Sequence, residues 1–236
     1  MPAEFVRFSA VHGLAVLGSL ACIALVVGFG LRGRTMGHAR EKAVRHAWVA
    51  CIVVVQAFTQ VWLNRPEAFS LQKSLPLYTC DIVPWIGLAA LLRPTRFSLS
   101  MSYFWGFGLS IWAFILPALD AGPAGMRFWL FWSGHMQILA TASYLTVVDG
   151  YRPHASDFAI AVKWTAVYAA LIVPLDIALD ADYGYFGSSS VIDALGPWPE
   201  RIAYLLFLEC VAFLLLYWPW VLLRRYGRMA AGPVQR

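Results

Sequence analysis

Charge is what this sequence has least of. Asp, Glu, Lys and Arg make up 13% of its 236 residues, where a soluble domain carries about 25%. Hydrophobic residues make up 60%. An ordinary water-soluble globule is excluded on that balance. The 15% aromatic content excludes a disordered chain, because there is ample apolar surface to bury. Lysine is nearly absent, with only Lys42, Lys73 and Lys163. None lies in the last apolar stretch, which excludes a Schiff-base retinal protein. The four cysteines, Cys22, Cys51, Cys80 and Cys210, all sit inside apolar runs and form no CxxC pair, so no disulfide framework is built. Neither HxxxH nor HExxH occurs, and no metal or other cofactor is expected. The net charge of +5 does not point to nucleic acid, because the basic residues stand in short clusters between apolar runs, where membrane topology puts them.

What is present in abundance is long apolar sequence. A bilayer core of about 30 Å takes about 20 residues of helix. Seven stretches qualify: 11–31, 43–63, 75–92, 99–119, 128–148, 158–177 and 202–223. The first is too long for a signal peptide and its arginines follow rather than precede it, so it reads as a retained helix. The third is the shortest and holds Pro76 and Pro84. The expected fold is therefore one integral membrane domain over 1–236, an all-α bundle of seven transmembrane helices. Thirteen Lys and Arg residues fall on one side of such a bundle and five on the other. The positive-inside rule then predicts an outer N-terminus and a cytoplasmic C-terminus, in a multi-pass protein of the cytoplasmic membrane. The long connection 178–201 becomes an extracytoplasmic loop or lid, and loops of that length are often functional.

Polar residues inside a membrane usually face a bundle interior or a wet cavity. Placed by depth, they are concentrated toward the outer side: Cys80 in span three, His135 in span five, Glu209 in span seven, Gln56 and Gln60 near the end of span two, Asp176 ending span six and His12 beginning span one. The inner half reads as nearly plain hydrocarbon. An outer polar pocket is the expectation. Cys80 and His135 come from different helices at similar depth, as a thiol nucleophile and its base require. Asp176 or Glu209 is a candidate to orient the imidazole. Asp81 follows Cys80 directly and points about 100° away on a helix, so it reads as a helix cap or a second-rank support. Tyr183 and Trp198 in the long loop, with His12 and Gln60, are candidates to line a substrate path. A cysteine in an apolar run is also a common packing residue, which is the reading kept for Cys22, Cys51 and Cys210.

The segment Ser74-Leu75-Pro76-Leu77-Tyr78-Thr79-Cys80-Asp81 resembles the SLPLHLCD motif of the YwaF-like integral membrane family, which includes the animal transmembrane protein 164. Further segments resemble the family in the same order: Tyr103-Phe104-Trp105-Gly106, then His135 after Phe131-Trp132-Ser133-Gly134, then Pro174-Leu175-Asp176, Asp182-Tyr183 and Asp193-Ala194-Leu195-Gly196-Pro197-Trp198-Pro199. His12 and Arg45 also stand where the family has a histidine and an arginine. The resemblance spans about residues 8–222. The chain departs from the pattern at Tyr78, which replaces a histidine, and at Asp176 and Asp182, which replace asparagines. The animal branch implies a lipid acyltransferase whose motif cysteine carries the acyl group, and Cys80 matches that cysteine. A layout similar to the androgen-induced membrane hydrolases makes Thr79 a lesser nucleophile candidate.

The expected function is acyl transfer or acyl hydrolysis on a membrane lipid by a Cys80–His135 pair. The alternative is a transporter or small-molecule binder with a polar outer pocket and no covalent step.

Overall fold

The computed structural model describes residues 4–67, 69–188 and 196–230, with side chains described as far as Arg225. Eight α-helices follow in chain order: α1 (Ala10–Thr35), α2 (His38–Leu63), α3 (Thr79–Leu92), α4 (Arg96–Tyr103), α5 (Trp112–Ile115), α6 (Met126–Ser143), α7 (Ala155–Leu179) and α8 (Glu200–Ala230). Two π-helical segments interrupt them, Phe104–Leu109 between α4 and α5 and Tyr144–Val148 after α6. Among the described residues there is no strand beyond one isolated bridge, Glu4 to Ala121.

Five segments are long and apolar enough to cross a membrane: Ala10–Thr35, His38–Leu63, Arg96–Ile115, Ala155–Leu179 and Glu200–Arg225. The outward faces of α1 and α8 carry Leu14, Leu17, Leu25, Phe29, Leu215, Trp218 and Leu223, all exposed on the protein surface. In water each such side chain would cost on the order of 1.5–3 kcal/mol relative to burial. Lipid removes that cost, and the chain is a multi-pass membrane protein.

The helix ends follow from local chemistry. The Ser9 hydroxyl caps α1 by accepting from His12 N at 3.3 Å. Thr95 and Ser98 cap α4 reciprocally, each side chain accepting the other's backbone N–H. Asp157 caps α7 by accepting from His154 N at 2.7 Å, and its second oxygen takes Arg96 Nε at 2.6 Å. The α1–α2 turn is tight because Gly33 has no Cβ; one placed there would stand 2.9 Å from Glu41 Cα.

The third span is shorter than expected. Residues 75–78 belong to a loop, and α3 has 14 residues, about 21 Å of helix. Leu75 donates its N–H to the Tyr183 hydroxyl at 3.2 Å instead of starting a helix. Likewise the fourth span ends at Ile115 rather than 119.

Helices α3 and α6 run in the same direction, since both end at turns on one side of the bundle. A Cβ on Gly87 would meet Thr141 Cγ2 at 2.9 Å, which fixes their register. The main core joins α3, α4, the first π segment, α7 and α8 around Phe104, Trp105, Tyr168, Tyr183 and Phe213. A second cluster joins α1, α2 and α6 around Trp48, Ile52 and Tyr144, with the Trp48 indole donating to Thr141 Oγ1 at 3.1 Å.

Candidate functional site

Asp81 sits in the first turn of α3 and accepts the Tyr78 backbone N–H at 3.3 Å. Its negative charge also suits a helix N-terminus. Its role as a cap is therefore the one its neighbourhood on the helix predicts. Cys80 precedes it, packed against the main core. Four residues on, Pro84 has no N–H to give the Cys80 carbonyl, so the backbone beside the thiol keeps a spare acceptor.

A group of tyrosines surrounds this turn. The Tyr78 ring lies 5.1 Å from that of Tyr183 and 6.1 Å from that of Tyr185. Burial, then the neighbouring Tyr185 and Asp182, push the Tyr78 hydroxyl well above its ordinary range. It stays a neutral hydrogen-bonding group where the family motif has a histidine. Tyr185 is shifted the same way, first by burial and then by Cys80. It adopts φ 65 next to Gly184 at φ 67, a conformation costing a tyrosine about 1–3 kcal/mol. Tyr168 on α7 is the hub. Its hydroxyl donates to Leu77 O at 2.7 Å, its ring meets Trp105 at 5.4 Å, and it lies within electrostatic reach of Cys80, Asp176, Glu209 and Asp81. Nothing in the local sequence around Tyr168 marks it as polar or reactive. The signal lies instead in α7's buried stripe, Asp157, Ala161, Thr165, Tyr168, Ile172 and Asp176, which keeps helical spacing throughout.

Counting back six residues on parallel α3 and α6 from the Gly87–Thr141 contact brings Asp81 level with His135, one residue's rise from Cys80. His135 Nδ1 lies 2.8 Å from Phe131 O. A carbonyl only accepts, so Nδ1 carries the proton and the neutral ring's Nε2 keeps its lone pair. The Phe131 carbonyl thus does the orienting expected of Asp176 or Glu209. No hydrogen bond joins Cys80 to His135 among the described residues, and the His135 ring lies tilted at 41° against that of Phe131, with centroids 4.4 Å apart.

The supporting residues have other attachments. Asp176 Oδ1 accepts Tyr183 N at 2.8 Å, tying the loop to α7, while its buried Oδ2 has no partner. Glu209 is near Tyr168, and its Oε2 is buried without a partner. Tyr183 is fully buried and its hydroxyl donates to Leu71 O at 2.8 Å, so it pins the 71–75 loop rather than lining an entrance. The Trp198 indole donates to Phe186 O at 3.2 Å and its ring is 38% exposed. His12 has both nitrogens committed: Nδ1 accepts Phe8 N at 2.9 Å, and Nε2 faces Phe114 O at 3.0 Å. That leaves neither for a ligand. Gln60 has a buried, unpartnered Nε2, and Gln137, midway along α6, has both amide atoms buried and unpartnered. Asp193 lies outside the described residues. No group of three His, Cys, Asp or Glu residues able to hold a metal occurs among the described residues.

The opposite end of the bundle is far from plain hydrocarbon. A cavity of about 590 Å³ opens there, lined by Arg34, His38, Glu41, Arg45, Asp149 and Tyr151 among others. Arg45 grips Asp149 with two bonds, Nη2 to Oδ1 at 2.5 Å and Nη1 to Oδ2 at 2.9 Å, and reaches Glu41 Oε1 at 2.7 Å. The Tyr144 hydroxyl donates to the same Glu41 oxygen at 2.7 Å. The π turn makes this possible. Asp149 N bonds to Tyr144 O, five residues back, so both side chains come round to one face, whereas five residues of α-helix would splay them by about 140°. Sequence periodicity assumes 3.6 residues per turn and misses such a face.

No curated protein and no solved structure matches the chain. The model of the TMEM164 family matches residues 7–217, nearly the whole length, including the Cys80 turn, His135 and the Arg45 cluster. The chain belongs to the TMEM164 family.

Proposed function

We propose that this protein transfers or hydrolyses an acyl chain of a membrane lipid, with Cys80 as nucleophile and His135 as base. The reading rests on the similar depth of the two residues, counted along α3 and α6 from the Gly87–Thr141 contact, and on the His135 Nε2 lone pair left uncommitted by the Nδ1–Phe131 bond. In the first step the Cys80 S–H proton passes to His135 Nε2, through a water or a substrate hydroxyl that spans the space between them. The thiolate attacks the ester carbonyl, the carbon–oxygen bond breaks, and the imidazolium returns its proton to the leaving alcohol. A thioester remains on Cys80. A second lipid hydroxyl, or water, then gives its proton to His135 and attacks the thioester, and the thiolate is released. Tyr78 and Tyr185 supply neutral donors beside the thiol, and the spare Cys80 carbonyl can accept from an approaching hydroxyl.

We read the fold as seven spans, with α3 and α6 added to the five long segments. The N-terminus then lies outside, Cys80 faces the extracytoplasmic leaflet of the cytoplasmic membrane, and Tyr183 and Tyr185 stand beside the turn that carries it. The alternation of turns between the two ends and the excess of arginine at the α1–α2 end support this reading.

The test is turnover of phospholipids in proteoliposomes, followed by chain-resolved mass spectrometry. Cys80→Ala and His135→Ala each lose at least about 100-fold in rate, the usual contribution of a nucleophile or its base. Wild-type rates in Cys80→Ala overturn the mechanism. The unpartnered amide of Gln137 favours a second reading, a non-covalent binder. That reading predicts no lipid turnover by any variant and ligand stabilisation that Gln137→Leu removes.

A further inference from the structure

We propose that the cavity at the arginine-rich end is a second site, distinct from Cys80, that binds a phosphate ester anion. Three turns converge on it: α1–α2 brings Arg34, His38 and Glu41, α3–α4 brings Pro94, and the π turn after α6 brings Asp149, Gly150 and Tyr151. Its volume of about 590 Å³ falls within the 300–1,000 Å³ usual for small-ligand pockets.

The charges on its wall are of two kinds. Arg45 is already spoken for, since Asp149 takes it through both oxygens and Glu41 through a third contact. The Leu91 carbonyl and the Tyr144 ring, 5.4 Å away, occupy its remaining side. Arg45 therefore builds the wall and does not wait for a ligand. Arg34 is the opposite case. Its guanidinium lines the cavity with no hydrogen bond or ion pair among the described residues. His38 stands on the next helix, at the other side of the tight turn that Gly33 permits. A planar guanidinium offers two parallel N–H groups that match two oxygens of a phosphate, and an imidazole adds a third donor.

The surrounding field has the right sign. Arg32, Lys42, Arg93 and Arg152 all lie on or beside the same three turns. Against them the cavity's carboxylates, Glu41 and Asp149, are both held by Arg45. The site thus combines long-range attraction for an anion with one uncommitted fork donor, the exposed Arg34, at the rim of a rigid wall. The rigidity comes from the π turn, which holds Asp149 and Tyr144 together on Arg45 and Glu41. Leu99 and Pro94 give an apolar flank suited to the glycerol side of a lipid phosphate. The same recognition would serve a soluble phosphate ester. The proposal does not depend on the chemistry assigned to Cys80.

The experiment uses the full chain in neutral maltoside micelles. Two probes are added separately, inorganic phosphate and dioctanoyl phosphatidic acid, with dioctanoyl phosphatidylcholine as the reference lipid. Thermal midpoint and retained mass in native mass spectrometry are the readouts. The expected result is a rise in midpoint with phosphatidic acid above that with phosphatidylcholine, and affinity at least about tenfold lower in Arg34→Gln/His38→Gln. Arg34→Lys keeps the charge but not the fork, and weakens binding by about three- to tenfold. Arg40→Gln removes a neighbouring charge that does not line the cavity and changes affinity less than about twofold, as expected of a screened surface charge. Response to both probes identifies the phosphate group alone as sufficient, as for a soluble phosphate compound, and response to phosphatidic acid alone identifies a lipid headgroup. Equal loss in Arg40→Gln and Arg34→Gln means a diffuse positive surface and overturns the site. So does a failure of both probes to shift the midpoint.

Discussion

Gly30 offers the sharpest test of the π turn's role. A Cβ at Gly30 would stand 2.5 Å from Tyr144 Cε2 and 2.8 Å from Val148 Cγ2. Both residues are fully buried, so neither ring nor methyl has a free direction to move. Overpacking of this kind costs about 1–3 kcal/mol. Displacing the Tyr144 ring also breaks its 2.7 Å bond to Glu41, a bond to a charged group worth about 1.5–3 kcal/mol. Alanine in place of a mid-helix glycine returns up to about 1 kcal/mol. The net loss for Gly30→Ala is about 2–4 kcal/mol, a fall of roughly 4–16 °C in unfolding midpoint for a chain of this length. Tyr144→Phe alone removes only the hydroxyl and costs about 1.5–2 kcal/mol, because Arg45 still satisfies Glu41. The two effects share one bond. In the Tyr144→Phe background Gly30→Ala therefore costs less than in the wild type by about the hydrogen-bond share, a coupling of about 1–2 kcal/mol. The assay is thermal unfolding of the four proteins in one detergent. Strict additivity of the two substitutions, or a stabilised Gly30→Ala, refutes the reasoning.

Three further outcomes are expected. His12→Ala leaves Phe8 N and Phe114 O without their partners, and lowers stability by about 2–4 kcal/mol in a denaturant titration without altering turnover. Asp176→Ala releases Tyr183 N and speeds amide exchange over residues 180–187, while Asp176→Asn keeps an acceptor oxygen and exchanges like wild type; equal exchange in the two variants contradicts the tether. Tyr78, Tyr151 and Tyr185 are all held above the ordinary tyrosine range by burial first. Above about pH 10 the unfolded chain gives up these protons and the folded chain keeps them, so stability falls as pH rises, by up to about 1.4 kcal/mol per pH unit for each tyrosine. Unfolding midpoints that stay flat from pH 9 to 11.5 contradict that burial.

The long spans were legible because lipid-facing helices carry their signal in composition alone. Ala10–Thr35 and Glu200–Arg225 need no partner to be recognised. Helix α3 was legible only in part. The loop that shortens it is held by a distant side chain, the Tyr183 hydroxyl on Leu75 N, and no local pattern announces a contact 108 residues away. Cys80, Asp81 and His135 stood out because polar residues are rare in apolar runs. What their neighbours do was not legible. His135 takes its orientation from a backbone carbonyl, which every residue owns, and Asp176 turned to a backbone N–H in the loop. The Arg45 cluster escaped because its residues sit at helix ends, where charges look like ordinary topology markers, and because a π turn shifts the face on which Tyr144 and Asp149 meet.

Acylation of Cys80 is the central claim, and it leaves a mass. The wild-type protein is incubated with a phospholipid of defined chains, quenched in acid, and examined as intact protein and as the peptide containing Cys80. The account predicts one added acyl group on Cys80, released by neutral hydroxylamine and absent from His135→Ala. An acyl group on another residue, or steady lipid turnover with an unmodified Cys80 under rapid quench, contradicts it.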